Sequence, residues 1–352
     1  MIPLRGRFLL LVPLLCGASI VARAETWTFA VSGDSRNCGD VVMPAIARGA
    51  IDNHAAFYWH LGDFRAIYII DQDFAAEHKP AYLENAWQDF IDNQIMSFGE
   101  LPVYLGLGNH EVIPPMTHEK ALATFAPWLN AQAIQKQRLS DDPSDAAPHG
   151  YYHWLRDHID FVNLDNSLSS FDEAQMRWVA ALLTHDQEDE SVRAVVAGMH
   201  EALPESVSKS HSMNQTLLGT EGGREVYRRL LELKNHKPVY VLASHSHYYM
   251  KGIYETGYWK AHGGVLPGWI VGTAGAERYK LPDPLPEGMQ KGKDAIERQY
   301  GYLLATVSDS KDDPIHFDFH EVKTSDVPRK VVERFTSGFV QSCWDNNPPY
   351  GK

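Results

Sequence analysis

Two histidines two positions apart, His245 and His247, follow the apolar run Pro238 to Leu242. Residues i and i+2 of an extended strand share a face, so both imidazoles can aim at one point. Neutral imidazole is the commonest metal ligand. A surface loop that happens to carry histidines is the plain alternative for the pair alone, and the rest of the chain decides between them. Four other strand-like runs end in similar chemistry: Trp27–Ser32 in Gly33-Asp34, Ala55–Leu61 in Gly62-Asp63, Leu101–Leu107 in Gly108-Asn109-His110-Glu111, and Arg193–Ala197 in Gly198-Met199-His200. Carboxylate, amide and imidazole together suit Zn, Mn or Fe, and the donors are enough for two ions rather than one.

Something must bring these ends together. Strand-like runs alternate with helix-like ones along the chain, which predicts a layered α/β domain. In such sheets ligands gather outside the carboxyl ends of the strands, where all five groups fall. A glycine before Asp34, Asp63 and Asn109 permits the tight turns that present them. Further strands are expected at Tyr151–Leu155, Ile159–Leu164, Trp269–Thr273, Tyr302–Val307 and Ile315–Val322. Helical spacing marks Leu83, Trp87, Phe90 and Ile91, then Trp178, Val179 and Leu182 behind a Ser170/Glu173 capping box, then Val226, Leu230 and Leu233. Ile113–Gly150 and Leu203–Gly223 read as loops.

The series Asp34, Gly62-Asp63, Gly108-Asn109-His110-Glu111, Gly198-Met199-His200 and Ser244-His245-Ser246-His247 resembles the calcineurin-like metallophosphoesterases. The likeness runs from about Glu25 to Val322, and Gly-Asn-His-Glu is its most specific part. It implies a four-layer α/β/β/α sandwich with two divalent or trivalent metal ions (Mn, Zn or Fe) that hydrolyses phosphate esters. It places Asp34 and His247 on the first ion, Asp63 between both, and Asn109, His200 and His245 on the second. His110 contacts the phosphate and assists the leaving group, with Glu111 orienting it.

The chain departs from that pattern at Asp34-Ser35-Arg36, where a histidine is usual in place of Arg36, and Ala66 stands where the purple acid phosphatase branch has a tyrosine. Guanidinium does not ligate metals but binds phosphate oxygens bidentately. Arg36 is therefore either a substrate clamp or outer support of the site, or a surface residue that marks decayed activity. Ser244 replaces the usual glycine of the fifth motif. His60 reads as structural; His118, His149 and His211 fall on the loop segments, where a solvated loop is the favoured reading, although His211 with Lys209 could reach substrate.

Residues 1–24 have the form of a secretory signal peptide: Arg5 and Arg7, an apolar stretch from Phe8 to Val21, then Ala22-Arg23-Ala24. A periplasmic or secreted protein is expected, with a single domain over residues 25–352 that includes a carboxyl-terminal extension from about 323. The formal charge of −13 becomes more negative by three once Arg5, Arg7 and Arg23 leave. Such a body repels nucleic acid and anionic membranes, so neither is expected as a partner, and a small anionic substrate needs a local cation. Cys38 and Cys343 are expected to pair in an oxidising compartment, two buried thiols being the alternative. The function that follows is hydrolysis of small phosphate monoesters by metal-activated water. A phosphodiesterase on the same core is the nearest alternative, and a non-catalytic metal- or phosphate-binding protein with a degraded first site is the other.

Overall fold

The computed structural model describes residues 26–74 and 81–346, so the leader-like segment lies outside the described residues. Among the described residues twelve strands are formed: β1 (Trp27–Ser32), β2 (Ala55–His60), β3 (Val103–Leu105), β4 (Tyr152–Arg156), β5 (Ile159–Asn163), β6 (Ala194–Gly198), β7 (Val239–Ala243), β8 (Tyr249–Lys251), β9 (Gly268–Val271), β10 (Ala295–Ile296), β11 (Tyr300–Val307) and β12 (Ile315–Val322). They build two sheets, in the orders β12-β11-β1-β2-β3 and β10-β8-β9-β7-β6-β5-β4. β1, β2 and β3 run parallel, as do β5, β6, β7 and β9.

Alternation along the strands decides which layers form. Phe29, Phe57 and Trp59 point to one face of the first sheet and meet Trp154 and Phe161 of the second, edge to face at 5.1–5.6 Å. Such aromatic pairs add about 0.5–1.5 kcal/mol each beyond the area they bury. On the opposite face of the first sheet, Tyr58 touches Met43 of the helix Gly39–Asp52. In the second sheet Phe161 and Val196 turn inward, while Val162, Val195 and Ala197 pack with Val179, Leu182, Val226 and Leu230 of the helices Glu173–Glu188 and Leu217–Lys234. Helix, sheet, sheet, helix is the expected sandwich.

Every anticipated strand is present within two residues. Three features differ. Ile113–Gly150 contains three short helices, His118–Thr124, Ala126–Leu129 and Gln132–Asp141. Asp172, not Ser170, caps the next helix by accepting from the Gln175 amide. The following one begins at Leu217, inside the supposed loop. The segment after β12 forms the helices Arg329–Phe335 and Ser337–Asp345, and Cys343 of the latter is bonded to Cys38. Among the described residues no helix is long and apolar enough to cross a membrane.

Candidate metal centre

The carboxyl ends of the parallel strands from both sheets open onto one edge, and there the expected residues meet. His200 Nε2 lies 3.0 Å from Asn109 Oδ1, 3.0 Å from His245 Nδ1 and 3.3 Å from Asp63 Oδ1. Donor atoms of Asp63, His200 and His245 all fall within 4.8 Å of one another. The second half of the cluster is His247 Nε2, 3.1 Å from Asp34 Oδ1.

The loops hold these positions at a conformational cost. Asp34, Asp63 and His245 all have φ near +60° (60°, 62° and 62°), a region that non-glycine residues seldom adopt. Strain of this kind concentrates at functional sites because the surroundings must enforce it. Gly108 shows how tight the enclosure is: a Cβ there would stand 2.3 Å from Asp63 Oδ1 and 2.9 Å from His200 Cε1. Glu111 does not orient His110 as the resemblance implies. Its carboxylate accepts the backbone N–H groups of Asp63, Phe64 and Gly108 at 2.8–2.9 Å, and so fixes the turn that carries Asp63. Arg65, buried with Asp40 and Asp73, braces the same turn against the helix Gly39–Asp52.

Tautomers follow from carbonyl oxygens, which only accept. His200 Nδ1 donates to Leu61 O at 2.9 Å, leaving the Nε2 lone pair aimed into the cluster. His110 Nδ1 donates to Ala66 O at 2.7 Å, which turns Nε2 toward Asp63 Oδ2, 3.6 Å away. Ser244 reaches both His200 and Leu61 O through its hydroxyl, a bracing contact that the usual glycine lacks.

The field at this edge is negative. Burial would raise Asp34, but His247 draws it down to about 2. Burial likewise opposes ionisation of Asp63, yet His110 and His200 hold it well below the ordinary carboxylate range. Burial would lower His200, and Asp63 instead lifts it to about 10. A field that holds a proton there would equally hold a cation. Asp34 Oδ1 and Asp63 Oδ2 are buried and accept no hydrogen bond. The donor set of Asp63, Asn109, His200 and His245 fits a divalent ion.

Arg36 is not a surface residue. It is 3% exposed, and its guanidinium donates to His247 Nε2 at 3.0 Å, to Tyr68 Oη at 3.1 Å and to Glu277 Oε1 at 3.4 Å. Burial would lower its pKa, but Glu277 and Asp63 raise it. Glu277, Tyr279 and Tyr68 were not anticipated. Tyr279 stacks on His247 with ring centres 4.0 Å apart, and Tyr68 lies 5.1 Å from His110. The first two follow β9, another parallel strand ending at the same edge. His211 also comes in from its loop, 5.4 Å from His245. His60 is buried and accepts from the Gly62 amide, as a structural histidine does. His118 and His149 instead pair with Asp165 and Asp145. A cavity of ≈ 600 Å³ lined by Lys209, His211, Tyr279 and Lys280 borders the centre.

Residues 29–249 match the model of the calcineurin-like phosphoesterase family, and the chain belongs to that family of metal-dependent phosphoric ester hydrolases. No curated protein matches the sequence. Among solved structures, it resembles a purple acid phosphatase from yellow lupin (Lupinus luteus) seeds, with 13% identity and a TM-score of 0.55 over 85% of this chain and 52% of that one. It thus spans about half the length of the lupin protein. A dimetal phosphatase from Danio rerio aligns at 12% identity and TM-score 0.49, over 83% and 98% of the two chains. The protein PhoD aligns at 13% and 0.47, over 91% and 77%.

Proposed function

We propose that this chain is an exported phosphatase that hydrolyses small organic phosphate monoesters. The observation that carries the reading is the convergence of Asp63, Asn109, His200 and His245 beside His110. When bound there, an ion supplies positive charge against phosphoryl oxygens and acidifies water. His200 and Asn109 offer it lone pairs that the loops already orient, and Glu111 keeps Asp63 in place. His110 presents Nε2 to the reacting group. Burial pushes this imidazole down to about 4 against the pull of Asp63, so it rests neutral with Nδ1–H on Ala66. A proton given to the leaving oxygen must first be taken up at Nε2, which an arriving phosphate dianion favours.

A monoester brings one more negative charge than a diester, and the permanent charge of Arg36 beside the centre favours it. Lys209 and Lys280 at the adjoining cavity add to that preference. Export rests on residues 1–24, and the Cys38–Cys343 bond fits an oxidising compartment. The test is to strip the protein, reload it with zinc or manganese, and assay an aryl phosphate against its diester. Faster hydrolysis of the monoester is expected. Preference for the diester would reassign the enzyme, and bound metal without turnover of either would make it a binding protein. His200→Ala or Asn109→Ala should lose metal while circular dichroism stays unchanged.

A further inference from the structure

We propose that the Arg36 guanidinium stands in for the first metal ion, so that the chain binds one ion per molecule rather than two. This rests on the reading above, because it concerns the other half of the same centre. The carrying observation is the use made of His247. Its Nδ1 lies 2.6 Å from the Glu277 carbonyl oxygen, which only accepts, so the hydrogen is on Nδ1 and the single lone pair is on Nε2. Arg36 Nη2 donates to that lone pair at 3.0 Å. One lone pair accepts one N–H or binds one ion. A first ion could enter only by displacing the guanidinium.

The surroundings are built to keep it. Glu277 is 2% exposed and lies 3.4 Å from Arg36 Nη2; its other oxygen accepts from Asn37 Nδ2 at 2.7 Å. Moving Arg36 away would take a permanent positive charge from a buried carboxylate, a costly change. The Tyr279 ring, stacked on His247, holds the imidazole in the plane that meets Arg36. The segment after β9 is itself pinned to the first strand end, since Ala276 N donates to Asp34 O at 2.9 Å. One loop thus supplies the counter-ion, the imidazole's acceptor and its stacking partner.

The same charge answers an electrostatic need. Asp34 Oδ1 faces His247 Nε2 at 3.1 Å, two acceptors that require a cation near them. Arg36 Nε stands 3.9 Å from Asp63 Oδ2. Guanidinium is always charged and needs no ion from solution, so this half of the centre keeps its positive charge when metal is scarce.

The experiment counts ions. The full chain, stripped and dialysed against manganese, is measured by elemental analysis and by electron paramagnetic resonance. One ion per chain with the six-line spectrum of an isolated Mn(II) is expected. Arg36→His should take up a second ion and show a spin-coupled spectrum; Glu277→Gln should move toward two as well. Two tightly bound, coupled ions in the unaltered chain would overturn the inference and leave the phosphatase reading intact. Arg36→His that stays at one ion would also overturn it, since the guanidinium would not be what excludes the second. No bound ion at all would instead sink the phosphatase reading.

Discussion

His110 and His200 stand near the same carboxylate yet answer to it differently. Asp63 lifts His200 to about 10 against burial, whereas burial wins at His110 and leaves it at about 4. The difference follows from distance, 3.3 Å for His200 Nε2 and 3.6 Å for His110 Nε2, and from the Arg36 charge, which opposes protonation of His110. The two should therefore separate in experiment. His110→Ala is expected to keep its metal and lose about 10²–10⁴-fold in kcat, the usual range for a group that moves a proton in the transition state. Metal content measured beside the rate checks this. If both fall together, His110 is a ligand and its role here is wrong.

At the scale of elements, the strand ends were legible and much of what lies between them was not. An apolar run that stops at Gly-Asp or Gly-Asn-His is visible because the chain must turn at a sheet edge and put polar atoms there. Glu277 and Tyr279 lie at such an edge too, but six and eight residues beyond Val271, with no ligand directly at the turn. The helix Gly39–Asp52 was not read from the sequence because it carries Pro44 in its interior, a residue that usually ends a helix, and ten of its fourteen residues are buried. The three helices of the 113–150 stretch bury only Ala121, Leu129 and Ile134, too few to mark a face. The last of them supplies Asp141 to His153, which also holds Asp160 across the β4–β5 hairpin, at 2.6 and 2.7 Å. Burial would lower His153, but Asp160 and Asp141 raise it from 6.5 to about 10. A raised histidine contributes stability that is whole below about pH 6.5 and lost as pH climbs through about 10. Asp186, pushed up to about 8 by burial and by Asp160, acts in the same direction. The melting temperature should fall between pH 7 and 10, and His153→Gln should flatten that slope. A Tm equally steep in the variant would clear this cluster of the effect.

At the scale of the whole molecule, the Cys38–Cys343 bond spans 305 positions and ties the last described helix to the segment just past Asp34. Losing a native disulfide typically costs about 2–5 kcal/mol. Thermal melts with and without reductant should show that loss, and Cys343→Ser should reproduce it without reductant. An unchanged melt would mean the bond fastens an already stable end. The sandwich itself was legible from the alternation of runs, but not the place of β1, which lies between β2 and β11, with Trp27 opposite Val307. That neighbour matters while the chain is being made. The second sheet's β4, β5, β6 and β7 are consecutive and can assemble as they emerge from the ribosome. The amino-terminal sheet cannot: one side of β1 stays bare through most of translation, a sticky edge offered to any other nascent chain. Completion of the first sheet waits for β11 and β12, so β1 pairs early with β2 but gains its second neighbour only when nearly all of the described chain has been made.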